Sequence, residues 1–293
     1  MRLISEILAD CGQPNGIVKG MSREKYNETH RLNYSTVKAG LIGESEVDVT
    51  GIKRAFEGIS AAPSRALQDA YDIGSLVHLM LLEPEQIADR VAVWKGDRRA
   101  GNEWNDFEAE NAGKLIIRAS DHNEIQSVMK VYRGLTQVQD LLRGHDTEVA
   151  VFSNEGRIHC KGLLDAVSSK DGIGSIVDPK TDRMGLSEHT IKNTIRSKRY
   201  REQMGIYRRW YQREANVAIE QVNLLFVSMP PAPMGVAKVR LTTSCLQLGE
   251  ARVMNAIERL QEAIDENEWP TFYADYLVDV DPWEVDDIVI EGV

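Results

Sequence analysis

Apolar residues recur at helical spacing through Ala66-Leu-Gln-Asp-Ala-Tyr-Asp-Ile-Gly74-Ser-Leu-Val-His78-Leu-Met-Leu-Leu-Glu83-Pro84, and the run stops at a proline, which cannot continue a helix. This pattern predicts a largely buried helix. Residues 95 to 118 read as a polar connection followed by a short helix around Trp104 to Ala112, and Ser120 to Leu142, opening on Ser-Asp, predicts a second long helix. The period then changes. Glu148-Val-Ala-Val-Phe-Ser, Ile158 to Val167 and Ser175-Ile-Val-Asp178 read as consecutive strands separated by Asn-Glu-Gly and Lys-Asp-Gly turns, an antiparallel meander. Ser187 to Glu214 predicts one basic helix, and Gln221 to Ser228 a strand ended by Pro230-Pro231-Ala-Pro233. A further strand from Gly235 to Leu241 and a long amphipathic helix from Thr243 to Asn267 complete the pattern. The order predicts an α/β fold with a central mixed β-sheet flanked by helices. We read it as one domain over 1–293, with an irregular, partly helical lead-in over about 1–65 and an acidic tail over about 270–293.

Two carboxylates and a lysine stand on the central strands. Asp165 lies in Leu163-Leu-Asp-Ala-Val167 and Asp178 in Ile176-Val-Asp-Pro-Lys180, so a hairpin predicts both acids at neighbouring strand ends. Held together, carboxylates repel each other and attract a hard cation. Asp178 and Lys180 are two apart, which puts them on one face of an extended chain, with an ammonium beside whatever the acids bind. Either acid alone reads first as a solvated strand-end or turn residue; their apolar neighbours and shared hairpin with Lys180 favour a site. Glu148 opens the preceding strand as a possible third acid or a plain surface glutamate. His78 is a metal ligand or a hydrogen-bonded core histidine, and Gly74, one turn earlier, would let a backbone or ligand come close. Gln203 and Tyr207, spaced i, i+4, point the same way and would reach a phosphate or orient Lys180. Glu83 reads as a cap or ion-pair residue.

Composition narrows the classes. The chain of 293 residues carries net charge -10, which argues against a general nucleic-acid coat protein, but the charge is uneven. From Lys180 to Arg213 there are ten Lys or Arg against three acids, and after Arg259 there is none. This basic segment is a footprint for a phosphate-rich ligand, with Lys192, Arg196, Lys198 and Arg199 as candidate DNA contacts or simply a solvated face. Cys11, Cys160 and Cys245 are scattered, which excludes a four-cysteine iron-sulfur cluster and suggests neither a disulfide framework nor a zinc ribbon. No run approaches a membrane span and the start is interrupted by acids, so we expect a cytoplasmic protein with no membrane association. Walker, dinucleotide, zincin and hydrolase-elbow signatures are absent.

Taken in order and spacing, His78, Glu148, Asp165, Asp178-Pro-Lys180 and Gln203-Met-Gly-Ile-Tyr207 resemble the PD-(D/E)XK nucleases, and most closely the exonuclease VIII (RecE-type) domain of phage and prophage recombination. The stretch from Arg98-Arg99 through Trp104 to Gly113-Lys114 adds to the likeness, which covers most of residues 20 to 230. The resemblance implies a restriction-endonuclease-like core, Mg2+ with Mn2+ able to substitute, and 5'-to-3' digestion of linear double-stranded DNA. It implies His78, Asp165 and Asp178 as metal ligands, with Glu148 and the Pro179 carbonyl as further ones. Lys180 would position or deprotonate the attacking water, and Gln203 and Tyr207 would hold Lys180 or the scissile phosphate. It further implies double-stranded DNA ends as partner, a homo-oligomeric ring such as a tetramer, and the cytoplasm of a bacterial host or phage-infected cell. The tail from Asp279 to Glu291 falls outside the motif set and reads as a solvated terminus or a docking peptide for a single-strand annealing protein. The alternatives are a structure-specific or single-strand endonuclease on the same core and a non-catalytic DNA-binding assembly protein.

Overall fold

A computed structural model describes residues 3–9, 12–21, 23–43, 46–59, 64–170 and 172–270. Seven strands form one mixed sheet: β1 (Gly16–Val18), β2 (Leu32–Asn33), β3 (Asp146–Glu155), β4 (Ile158–Lys170), β5 (Ile173–Asp182), β6 (Ala218–Ser228) and β7 (Val236–Arg240). The order is β1-β3-β4-β5-β6-β7, with β2 paired in parallel to the start of β4. β3, β4 and β5 form the predicted antiparallel meander, and β7 returns antiparallel to β6. β6 lies parallel to β5, and a parallel neighbour needs a crossover. Helices α3 (Glu188–Ser197) and α4 (Tyr200–Ala215) supply it.

Each face of the sheet is covered by helices. Val149, Val151, Leu164, Leu224 and Phe226 bury one face with Met204 and Trp210 of α4 and with Val253 and Leu260 of α5 (Thr243–Glu266). Ala166, Val177, Leu225 and Val227 bury the other with Leu76 and Val77 of α1 (Arg65–Leu82) and Met129 of α2 (Ala119–Arg133). Coverage from both sides explains why the Val222 to Val227 run is nearly continuous in apolar residues rather than alternating. α4 and α5 touch almost backbone to backbone. A Cβ on Gly205 would lie 2.5 Å from the Leu246 carbonyl oxygen, and one on Gly249 would collide with the Arg201 carbonyl, so side chains are excluded at this crossing.

The structure departs from the sequence reading in several places. Asp165 and Asp178 lie inside β4 and β5 rather than at their ends, because both strands run on through pairs such as Ser168↔Ser175 and Asp182↔Ser228. The Ser120–Leu142 helix is two, α2 and Thr136–Leu142, parted at Gly134 and Leu135. The basic helix is also two. Arg199 adopts a left-handed backbone (φ 59°), held where Tyr34 Oη donates to its carbonyl at 2.6 Å. Ile191 before the break and Met204 after it join the same core, so periodicity does not reveal it. Val91–Trp94 and Leu115–Arg118 pair as a small parallel sheet flanking the Asn102–Glu110 helix, where four-residue strands are too short to stand out from a polar connection. The acidic tail, residues 271–293, lies outside the described residues.

Candidate functional site

A local defect in the sheet aims the acids. Glu148 takes a left-handed backbone (φ 49°) and interrupts the β3–β4 ladder between Thr147↔Ala166 and Val149↔Leu164. Asp165 is the β4 residue opposite the interruption. There the side-chain alternation slips: Leu164 and Val167 join one core and Ala166 the other. Such irregularities redirect single side chains, and this one turns Asp165 toward a cleft of about 820 Å³. Asp178 continues the β4–β5 register one step past Ala166↔Val177, level with Asp165 on the next strand.

Each acid leans on a cation. Lys180 Nζ lies 2.6 Å from Asp178 Oδ1 and donates to Gln203 Oε1 at 3.2 Å, while His78 Nδ1 lies 3.2 Å from Asp165 Oδ2. Burial opposes ionisation of Asp165, but His78, then Lys180 and Arg23, outweigh it and hold this carboxyl below its usual range. Asp178 goes the other way. Its burial, reinforced by the charge of Asp165, overcomes Lys180 and pushes it up to about 6. For Lys180, burial works against the ammonium, yet Asp178 and Asp165 keep its pKa above the ordinary lysine value. His78 is likewise raised, since Asp165 outweighs the burial that would lower it.

The surrounding elements supply the walls. α1 begins on Ser64, whose hydroxyl accepts from Leu67 N, and ends at Glu83, which pairs with Arg90 at 2.7 Å as the predicted cap and ion-pair residue. Tyr71, Gly74, Ser75 and His78 form one face of α1 and line the cleft. Glu148 also lines it, bound to Arg23 at 3.0 Å, and burial raises its pKa despite that arginine. Gln203 and Tyr207 point the same way as expected. Gln203 lowers, and burial more strongly raises, the Tyr207 phenol, which ends at about 12. Gly162 makes room for that ring, since a Cβ there would lie 3.0 Å from Tyr207 Cε1. Tyr200 was missed: its ring sits 4.5 Å from Lys180 Nζ. It precedes Gln203 by three residues and Tyr207 by seven, so extending the helical period would have found it.

The basic candidates stand outside the cleft. None of Lys192, Arg196, Lys198 and Arg199 lines the cleft; among the described residues its lysine and arginines are Lys180, Arg23 and Arg90. Lys192 pairs with Glu188 at 2.5 Å, and Arg199 donates to the Gly43 carbonyl and lies near Glu202. The ten basic residues from Lys180 to Arg213 do not share a direction, because a strand, a loop and two helices carry them.

The family profile described as a PDDEXK-like domain of unknown function (DUF3799) matches residues 55–277. The chain belongs to this PDDEXK-like family. The superfamily part of the sequence resemblance therefore stands. No curated protein matches the chain. Among solved structures, a candidate exonuclease from Eubacterium rectale superposes with TM-score 0.59 at 12% identity over 94% of this chain and 100% of its own, which supports the fold. A second structure, SSO0001, aligns with TM-score 0.26 at 15% identity over 70% of this chain and 84% of its own, too low to carry an argument.

PDDEXK-like nucleases use divalent ions, and the donor chemistry here suits one. Asp178 Oδ1 is buried without an aligned hydrogen bond among the described residues and relies on the Lys180 ammonium. The charge of Asp165 makes Asp178 harder to ionise, a conflict a cation would relieve. As they stand, no three His, Cys, Asp or Glu side chains among the described residues form a group able to hold a metal ion. His78 and Lys180 instead occupy the acids. The PDDEXK-like site thus fits a divalent ion by charge and donor type.

One stability prediction follows. Asp178 binds its proton more tightly folded than unfolded, so its protonated form stabilises the fold below pH 4, and that contribution is lost as pH rises toward about 6. In EDTA at pH 8, Asp178→Asn is expected to be more stable than wild type by about 2–3 kcal/mol, with the gain gone near pH 4. Urea melts at both pH values check this; an equal gain at both would show that burial of the charge is not the cause.

Proposed function

We propose that this protein is a metal-dependent DNA exonuclease that hydrolyses phosphodiester bonds of linear double-stranded DNA, in the 5'-to-3' direction, in phage-type recombination or DNA processing. The observation that carries the reading is Lys180 Nζ, held between Asp178 Oδ1 at 2.6 Å and Gln203 Oε1 at 3.2 Å on the wall of a cleft that also holds His78 and Asp165. The likeness to a candidate exonuclease supports the same class.

Asp165, Asp178 and His78, with the Pro179 carbonyl and Glu148 as further ligands, would hold Mg2+ or Mn2+, and such an ion would supply neutralisation of a non-bridging phosphate oxygen. Lys180 would orient the attacking water and stabilise its developing negative charge. Gln203 holds the lysine, and Tyr207, neutral at working pH, backs Gln203 from the buried side. Processive digestion suits a homo-oligomeric ring around the duplex, and a single-strand annealing protein is the natural acceptor of the strand left behind.

The test is incubation of purified protein with end-labelled linear and circular duplex DNA, in Mg2+ and in EDTA. Mg2+-dependent loss of the linear form alone is expected. Cutting of the circle would move the assignment to an endonuclease, and loss of neither would leave a DNA-binding assembly protein.

A further inference from the structure

Gly74 sits in the middle of α1, where glycine is a poor choice, and nothing in the fold requires it. A Cβ added there would meet only Thr181 Oγ1, at 3.9 Å, which is ordinary contact. No backbone or side chain among the described residues crowds the position, so the missing side chain leaves space for something outside the chain. Gly74 lines the cleft between two groups on the same helix face. On one side is Tyr71, 57% exposed, with no ring or hydrogen-bond partner among the described residues. On the other is His78, seven residues on from Tyr71 and about 10 Å from it along the axis. Ser75, exposed in the same strip, presents a hydroxyl to the cleft.

Resting on the nuclease reading above, we propose that this strip is a nucleotide-binding track that selects an end or unpaired base. The sugar-phosphate backbone runs over Gly74 and Ser75, and the neighbouring base stacks on Tyr71. An aromatic ring stacks only on a base whose face is free. Inside a duplex both faces of each base are covered, so the Tyr71 ring reaches only a terminal base or one splayed from its partner. The ring is carried rigidly. Arg99 ties Asp69 and Asp72, neighbours on another side of the same helix, at 3.2 and 3.6 Å, and donates to the Ile116 carbonyl. The strip thus measures from the acids to a base, and the substrate is a DNA strand whose base beside the cleaved phosphate is unstacked.

The test uses the full chain with Ca2+ and single-stranded oligonucleotides carrying one abasic site at successive positions from the end. Tyr71→Ala is expected to weaken binding roughly tenfold, while Tyr71→Phe stays within about twofold. One abasic position is expected to cost wild type the same factor and to erase the difference between wild type and Tyr71→Ala. Gly74→Ala is expected to raise Tm by roughly 1–3 °C, through better helix propensity, and yet weaken binding roughly tenfold. The track is wrong if both alanine variants bind like wild type, or if no abasic position erases the Tyr71 effect. A wild-type chain that cleaves linear DNA while these outcomes fail overturns the track alone; one that neither binds nor cleaves overturns the nuclease reading with it.

Discussion

Lys180→Met is expected to reduce Mg2+-dependent DNA cleavage by about a thousandfold or more while leaving the fold intact. The ammonium is surrounded by Asp178, Gln203 and the Tyr200 ring, and its side chain is only 12% exposed, so bulk water is a poor substitute for it. Methionine keeps the apolar stem and removes the charge. Asp178 then loses its counter-ion, but its pKa already lies near 6, and a further rise lets it become neutral rather than stay buried and charged. The variant should therefore melt close to wild type, and Asp178→Ala should be equally inactive. Cleavage within tenfold of wild type in either variant would remove Lys180 and Asp178 from the chemistry.

The second large effect concerns stability. Glu202→Ala is expected to cost about 3–5 kcal/mol and lower Tm by roughly 10 °C. The Glu202 side chain is fully buried where α4 meets α5, and its Oε1 lies 2.9 Å from Arg252, 3.3 Å from Arg201 and 3.8 Å from Arg199. Removing the acid takes from three guanidinium groups the carboxylate they share and leaves a cavity between the helices. Glu202→Gln, which keeps the shape and one acceptor, should lose less. Thermal melts of both variants decide the matter: an alanine variant melting within 1–2 °C of wild type would mean that the arginines repartner and the acid is dispensable.

Much of this was legible in the chain. Asp178 and Lys180 could be paired from a period of two, and Gln203 with Tyr207 from a period of 3.6, because both patterns follow directly from backbone geometry. The same rule reached the meander and the long helices. Long-range pairings left no such trace: Arg23 and Glu148 are 125 residues apart, and only the fold joins them. Neither is a break visible when the core face continues across it, as at Arg199. Counting charges located a basic segment but not its direction. Arg209 and Arg213 turn to Glu155, and Arg209 also meets Glu250, so part of that charge braces the interior. Gly74 shows the converse. The sequence marked the gap in the helix face, and only the packing around it could tell a fold requirement from room for a ligand.

The crossing of α4 and α5 at Gly205 and Gly249 acts like a bearing with no play. Contact through backbone atoms leaves no rotamers to adjust, so the reach of Gln203 toward Lys180 is calibrated by a helix that contributes no group to the cleft. An added methyl at Gly249 would push α4 as a rigid body, and the error would appear at Lys180. Tuning this site therefore need not begin at its acids: α5 is a remote set screw for the distance between Gln203 and Lys180.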